Sequence, residues 1–124
     1  MGSRMTHASA AIFRLMEHRD LLAGFVRLHV LHHAAGGEIY GRWMIEELGR
    51  HGYKLSAGTL YPMLHMMERR GYLVSSKERI GRTFRRVYRA TPLGREALAV
   101  AQLRMRELVG EIQPGDKLEG EPAT

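Results

Sequence analysis

A cluster of arginines in the second half of this chain has the chemistry of anion binding. Residues 69–89 hold eight lysines and arginines and a single acidic residue, Glu78. Guanidinium groups bind phosphate oxygens through several N–H donors and release counterions from a duplex as they do so. We expect Arg82, Arg85 and Arg86, around a predicted turn, to clamp phosphates, although a solvated basic face would have the same composition. Arg82 also suits insertion into a narrow minor groove.

The segment before this cluster carries polar side chains at helical spacing. Ser56 is a typical N-cap, and its hydroxyl is expected to accept a backbone N–H of a helix over residues 56–71. Pro62 lies deeper than the first helical position and predicts a kink or a 3₁₀ first turn. The Tyr61 ring either faces outward or packs beneath the hairpin that follows. The residues of this helix that are candidates for contact with the same anionic partner are Ser56, Thr59, Tyr61, Pro62, His65 and Arg69.

Three histidines on one predicted helix raise the question of a metal site. His29 and His33 are four residues apart, a spacing at which two imidazoles can share a metal ion. Such a site needs a third or fourth ligand placed by the fold, so we expect His29, His32 and His33 at the surface or the core edge. Glu46 and Glu47 are expected on a solvated helix face. We predict no metal and no cofactor.

Composition limits the class of protein before any fold is considered. The 124 residues are 44% apolar and 26% charged with a net charge of +6, typical of one small domain that binds an anionic partner. Without cysteine there is no disulfide, thiol nucleophile or thiolate zinc site. No membrane-spanning run or secretion signal is present, which predicts a cytoplasmic protein without a membrane partner. The chain has no catalytic motif, so we predict that it is not an enzyme.

Apolar periodicity predicts the elements that position these side chains. The predicted helices cover residues 6–19, 21–35, 38–50, 56–71 and 92–112, and the predicted strands cover 73–80 and 84–90 around a turn. Thr91 is expected to cap the last helix. Three helices followed by a hairpin is the element order of a winged helix. The expected inner residues are Leu21, Leu22, Phe25 and Leu28, then Ile39, Trp43, Ile45 and Leu48, then Leu60, Leu64 and Met67.

The first and last predicted helices each carry an apolar stripe, and a chain of this length has too little core to bury both. The last helix repeats apolar residues at spacings of 3 and 4, typical of a two-helix seam, and the first helix has a stripe of its own. Two exposed stripes cover one another best in a symmetric pair, which predicts a homodimer. The alternative is that both stripes fold back on their own domain. The predicted dimerisation residues are Ile12, Leu15, Met16, Leu98, Ala101, Met105, Leu108 and Ile112.

Four short motifs follow one another between residues 39 and 95. They are Ile39-Tyr40-Gly41, LSAGTLYPML at 55–64, MERRGYL at 67–73 and YRATPLGR at 88–95. Together they resemble the PadR family of bacterial winged-helix regulators over residues 28–96. The resemblance implies a recognition helix at 56–71, a wing at 80–85 and a C-terminal dimerisation helix.

Two departures and one family property accompany this resemblance. Met67 stands where the family commonly has leucine, a tolerable core exchange. The segment 81–88 is longer than the corresponding segment in many members, so the pairing register of the two wing strands is not determined by the resemblance. Family members often respond to small aromatic or cationic molecules, so the resemblance also implies a small-molecule effector of unknown identity.

These observations predict a mainly α fold with a small β-hairpin, a winged helix-turn-helix plus N-terminal and C-terminal dimerisation helices. We expect a tag remnant and helix in residues 1–19, a winged-helix DNA-binding domain in 20–91, a dimerisation helix in 92–112 and a flexible tail in 113–124. The predicted function is a sequence-specific transcriptional regulator that binds double-stranded DNA, a repressor released by an effector. The alternative is an architectural or protein-interaction module without an effector response.

Overall fold

Residues 18–112, the part of the chain that a computed structural model describes, form four helices and three strands. In chain order these are α1 (Arg19–Gly36), β1 (Ile39–Tyr40), α2 (Gly41–Arg50), α3 (Ala57–Arg69), β2 (Leu73–Ile80), β3 (Thr83–Ala90) and α4 (Pro92–Ile112). The mainly α fold with a winged hairpin is therefore confirmed. The predicted first helix, with Ile12, Leu15 and Met16, and the predicted tail lie outside the described residues.

The sheet contains a strand that apolar periodicity does not predict. Ile39 and Tyr40 form β1, which pairs antiparallel with β3 through Ile39 opposite Tyr88 and Tyr40 opposite Val87. The prediction of a helix from residue 38 is therefore wrong in its first three residues. A β-branched and an aromatic side chain suit a pleated surface, and Ile39 is buried there to 2% exposure. The strand order is β1-β3-β2, so β1 covers one edge of β3.

The hairpin agrees with its prediction and settles the register of the wing. β2 and β3 pair along their whole length and end with Ile80 opposite Thr83, so Gly81 and Arg82 form a two-residue turn. Gly81 has a φ of +62°, a left-handed conformation that favours glycine. The Thr83 hydroxyl donates to the Ile80 carbonyl oxygen at 3.1 Å. Arg82 therefore lies at the tip of the wing.

Helix α1 buries a face that only partly matches the predicted one. Leu21 and Phe25 are 75% and 43% exposed, and they edge an apolar groove between α1, α3 and α4. The prediction is wrong for these two residues, whereas Leu28 packs against the core as predicted. Apolar residues occur nearly all round this helix, so spacing alone does not identify the inner face. The buried residues of α1 are Val26, Val30, Leu31 and Ala34.

The core beneath α3 holds that helix in place. α3 contributes the predicted row, Leu60, Leu64 and Met67. α2 contributes Met44 and Leu48, whereas Trp43 and Ile45, predicted to face inward, are only partly buried at the edge of the core. Burying one large aliphatic side chain contributes about 1.5–3 kcal/mol, so this row anchors α3 firmly.

Thr91 caps α4 as predicted and joins it to the end of α3. Its hydroxyl donates to the Gly71 carbonyl oxygen at 2.5 Å and accepts the Gly94 N–H at 3.0 Å. Its backbone N–H donates to the Tyr72 carbonyl oxygen at 3.1 Å. These bonds leave little freedom for the backbone where α4 crosses residues 71–72.

We expect Gly94→Ala to lower the free energy of unfolding by about 1–3 kcal/mol, the usual cost of overpacking. Gly94 is buried, and a Cβ there would overlap the Tyr72 carbonyl oxygen. Gly110→Ala in the same helix is the matched control, because nothing lies within 4 Å of a Cβ at that position. It should be neutral or slightly stabilising. Urea denaturation measures both variants, and equal stabilities would contradict this packing.

Candidate nucleic-acid interface

Helix α3 begins directly after Ser56, but the predicted cap hydrogen bond is absent. The Ser56 carbonyl oxygen accepts the N–H groups of Thr59 and Leu60 at 3.0 and 2.9 Å. Its hydroxyl bonds no backbone N–H and instead donates to the Thr59 hydroxyl at 3.4 Å. That part of the prediction is wrong because a second hydroxyl, one turn further on, provides a competing acceptor.

The first turn of α3 is α-helical, so the 3₁₀ first turn that Pro62 was predicted to cause is absent. Ala57–Arg69 is α-helical throughout, and its first turn already has the i→i−4 bond from Leu60 to Ser56. Pro62 has no N–H for the Gly58 carbonyl oxygen. Gly58 and Pro62 are both exposed, so water can serve that carbonyl and the cost of the missing bond is small.

The predicted DNA-facing row of α3 is exposed except at Thr59. Tyr61, Pro62, His65 and Arg69 lie on the outer side of the helix. Thr59 is half-buried and lines a cleft against the first turns of α1, together with the exposed Ser56. Thr59 is therefore less exposed than predicted but still reaches the surface, because α1 passes beside the start of α3.

A cleft of about 450 Å³ lies between α3, the start of α2 and the hairpin. Its lining includes Tyr61 and His65 from α3 and Arg85 and Arg86 from β3, which are 20 or more residues away in the sequence. The Tyr61 ring packs so closely on Gly41 that any side chain at that position would overlap it. Tyr61 is nevertheless 40% exposed, so it both packs and offers a surface to the cleft.

Arg85 is held inside the protein's own network of contacts. Its Nε donates to the Glu78 carboxylate at 2.9 Å, and its guanidinium carbon lies 3.6 Å from the centre of the Tyr40 ring. The hydrogen bond to Glu78 raises the pKa of Arg85 above its ordinary value. The charge of Arg85 is thus partly balanced by Glu78, so Arg85 attracts a phosphate less strongly than an unpaired arginine would.

The other two wing arginines are more open to a partner. Arg82 is exposed at the tip of the turn. Arg86 is exposed as well, and one of its terminal nitrogens, Nη1, donates to the Ser75 hydroxyl at 3.0 Å. A guanidinium has five N–H donors, so Arg86 keeps several for an anion.

Tyr40, Arg42 and Glu78 also belong to this region, and sequence reasoning missed them. Tyr40 and Arg42 line the cleft, and Glu78 holds Arg85. Assigning residues 38–40 to a helix conceals the side on which Tyr40 lies. The signal that could have placed it is the β-branched and aromatic pair directly before a glycine, which favours a short strand.

The histidines of α1 meet a second set of polar side chains from α2. The His29 ring lies 4.8 Å from the His51 ring, and the His33 ring lies 4.9 Å from the His32 ring. The Glu47 carboxylate lies between them, with Oε2 3.3 Å from Nε2 of His51 and 3.5 Å from Nε2 of His33. The packing of α1 on α2 therefore gathers four imidazoles, two of which contact one carboxylate.

Glu47 is not on a solvated helix face, so that prediction is wrong for it. Its side chain is 13% exposed, whereas that of Glu46 is 68% exposed, as predicted. The difference arises because the packing of α1 on α2 covers one side of α2. Within residues 18–112, no group of three or more His, Asp or Glu side chains is arranged to hold a metal ion.

The pKa values of His29 and His33 are lowered from the ordinary value of 6.5. Burial is the main cause for both, and neighbouring imidazoles, His51 for His29 and His32 for His33, add to it. Glu47 opposes the shift in both cases. The lowered pKa of His33 disfavours its charged form and so weakens the ion-pair character of its contact with Glu47.

We expect the free energy of unfolding to fall as the pH is lowered from 7 through 6.5 and below. The unfolded chain binds protons at His29 and His33 near pH 6.5, while the folded chain binds them only at lower pH, so acid favours unfolding. The variant His29→Gln with His33→Gln should lose part of this pH dependence. The exposed His65→Gln should keep it. Urea denaturation at several pH values between 5 and 8 measures the slopes, and parallel slopes for all three proteins would contradict the prediction.

The order of elements, the anchored α3 and the arginine-edged cleft define a winged-helix protein of the kind that regulates transcription. The sequence profile of the "Transcriptional regulator PadR-like family" matches residues 30–100. The chain belongs to this family, and the resemblance drawn from its motifs is confirmed. Since PadR-like proteins are regulators of transcription and not enzymes, this chain is a transcriptional regulator and not an enzyme.

Known relatives agree with this assignment. The chain is 50% identical over 97 residues to "Transcriptional regulator Rv3488" of Mycobacterium tuberculosis, an alignment covering 78% of this chain and 91% of that protein. It is similar to a PadR family transcriptional regulator from Eggerthella lenta, with a TM-score of 0.70, 28% identity and coverage of 94% and 100% of the two chains. A PadR-like regulator from Bacillus cereus shares the fold, with a TM-score of 0.70 at 23% identity over 82% and 99% of the chains. No helix within residues 18–112 is long and apolar enough to span a bilayer.

Proposed function

We propose that the protein is a sequence-specific repressor that binds double-stranded DNA as a homodimer and is released by a small molecule. The observation that supports DNA binding most strongly is the cleft at which the exposed row of α3 and the arginine-rich hairpin meet. A helix in the major groove with a basic wing on the adjacent backbone needs these two surfaces side by side.

In this proposal α3 reads the major groove and the wing binds phosphates. Arg82 and Arg86 are the principal phosphate ligands, because Arg85 is partly balanced by Glu78. Arg82 at the tip is also placed to enter the minor groove. Ser56 and Thr59 contact the DNA backbone from the start of α3. The proposed DNA-binding residues are Ser56, Thr59, Tyr61, Pro62, His65, Arg69, Arg82, Arg85 and Arg86.

The homodimer is proposed from α4, with residues 20–91 as the DNA-binding unit and 92–112 as the dimerisation helix. Leu98 is 8% exposed and packs into the core of its own protomer. Further along the same seam, Leu108 and Ile112 are 51% and 61% exposed. A symmetric pair of α4 helices would cover these side chains, which residues 18–112 of one protomer leave open.

Release by a small molecule rests mainly on the family resemblance. A groove of about 860 Å³ between α1, α3 and α4, lined largely by apolar side chains, supports it. Its size lies in the range of small-molecule pockets, and a second protomer on α4 would enclose it further. A ligand there would touch both the dimerisation helix and α3.

The proposal is tested by fluorescence anisotropy with labelled duplexes tiling the region upstream of the protein's own gene. We expect one fragment to bind at least about 10³-fold more tightly than a shuffled duplex at physiological salt. Footprinting of that fragment should show a two-fold symmetric site with half-sites about 34 Å apart. Equal affinity for all duplexes would favour an architectural role instead.

A further inference from the structure

A chain of two hydrogen bonds connects the recognition helix to the wing. The Ser75 hydroxyl on β2 donates to Oε2 of Glu68 on α3 at 2.7 Å. The same hydroxyl oxygen accepts an N–H from Nη1 of Arg86 on β3 at 3.0 Å. A serine hydroxyl has one proton to donate and lone pairs to accept with, so both bonds can exist at once. Glu68 and Arg86 thereby determine how the Ser75 hydroxyl is oriented.

The strand register shows that Arg86 is drawn back toward α3. Residue pairing places Arg86 opposite Lys77, and Ser75 opposite Tyr88. The bond from Arg86 to Ser75 is therefore a diagonal one along the face of the hairpin, which a long side chain can reach. Arg86 thus lines the same cleft as Tyr61 of α3.

The two partners of Arg86 are more enclosed than Arg86 itself. Glu68 and Ser75 are half-buried, whereas Arg86 is exposed. Their bond of 2.7 Å has the usual length of a hydroxyl–oxygen hydrogen bond. An arginine held at one nitrogen loses less side-chain freedom on binding an anion with its remaining donors.

We propose that Glu68 and Ser75 are positioning residues that hold the Arg86 guanidinium at the cleft, so that α3 and the wing bind DNA as one unit. This inference rests on the proposed DNA-binding function. Arg86 contacts a phosphate with the donors that Ser75 leaves unused. Arg82, for which no hydrogen bond with another of the described residues is found, contributes charge without this orientation.

A double-mutant cycle tests the proposal, with anisotropy measured on a 30-base-pair random-sequence duplex and on the upstream fragment. Ser75→Ala is expected to weaken binding about tenfold, the effect of one charge-assisted hydrogen bond. Arg86→Ala should weaken binding at least as much. The double variant should bind no more weakly than Arg86→Ala alone, because Ser75 acts only through Arg86.

Matched variants separate positioning from a merely structural role. Ser76→Ala, an exposed serine on the same strand, should bind like the wild type. Ser75→Thr keeps the hydroxyl and should restore affinity, and Glu68→Gln keeps an acceptor and should bind better than Glu68→Ala. Thermal melting of each variant reports stability independently of binding.

Three outcomes would overturn the proposal. In the first, the double variant loses the sum of the binding free energies that the two single variants lose. In the second, Ser75→Ala binds like Ser76→Ala, and in the third, Arg86→Ala binds like the wild type. If the wild type bound neither duplex, the proposed DNA-binding function would fail first. A wild type that binds while Ser75→Ala has no effect leaves that function intact and removes only the positioning role of Ser75 and Glu68.

Discussion

The variant Met105→Glu with Leu108→Glu is expected to sediment as a folded monomer and to lose tight operator binding. Met105 is half-buried and Leu108 is 51% exposed within one protomer, and both lie on the proposed seam of α4. Burying a leucine contributes about 1.5–3 kcal/mol, and an unpaired carboxylate in an interface adds a penalty of its own. Both of these losses occur twice in a symmetric dimer, once in each protomer. A monomer occupies only one half-site, so affinity should fall at least about 100-fold.

Leu103→Glu is the matched control for this variant. Leu103 is also 51% exposed, but it lies on the opposite side of α4 from the seam. The Leu103→Glu variant should remain dimeric and bind DNA. Sedimentation velocity at micromolar concentration measures the oligomeric state, and circular dichroism checks that each variant is folded. A folded double variant that is still dimeric would place the interface elsewhere, and a monomeric wild type would exclude the dimer altogether.

Replacing Arg82, Arg85 and Arg86 together by alanine is expected to weaken binding to specific and random duplexes alike. These side chains supply charge to the DNA backbone, and phosphate binding does not depend on sequence. The slope of log K against log salt should become shallower by up to about 0.9 for each phosphate that the variant no longer neutralises. Because Arg85 is held by Glu78, Arg82→Ala and Arg86→Ala should each change the slope more than Arg85→Ala.

The control for the wing variant removes the same kind of charge from another part of the protein. Arg104→Ala on α4 leaves the wing unchanged, and Arg104 forms a surface ion pair with Glu107 at 3.0 Å. Its salt slope should match that of the wild type. Anisotropy titrations at four salt concentrations between 50 and 300 mM, a range of about sixfold, provide the slopes. An unchanged slope in the triple variant would exclude the wing from the DNA interface.

Local patterns in the sequence were sufficient to predict the elements that carry the candidate site. β2 has its predicted bounds, and β3 begins one residue before its prediction. The row Leu60, Leu64 and Met67 is buried, which orients α3 correctly. Thr91 caps α4. These features depend on spacing and turn chemistry within a few residues, so they can be derived from a short stretch of chain.

Features that depend on contacts between distant segments could not be predicted in this way. The periodicity of α1 does not distinguish the buried Val30 from the exposed Phe25, because the choice is made by what packs against the helix. β1 exists because β3 offers it an edge. Glu47 reaches His33 and His51 only once α1 and α2 are packed together.

The candidate interface shows the same division. The sequence by itself determined that a helix with polar outward positions is followed by a hairpin. It also determined that this hairpin is basic. Only the tertiary structure decided that Arg85 pairs with Glu78 and stacks on Tyr40, and that Arg86 is tied through Ser75 to Glu68. Hydrogen bonds and ring contacts need atoms within about 3 to 6 Å of one another, a condition that spacing along the chain does not specify. The folded packing of α3, β1 and the hairpin supplies it.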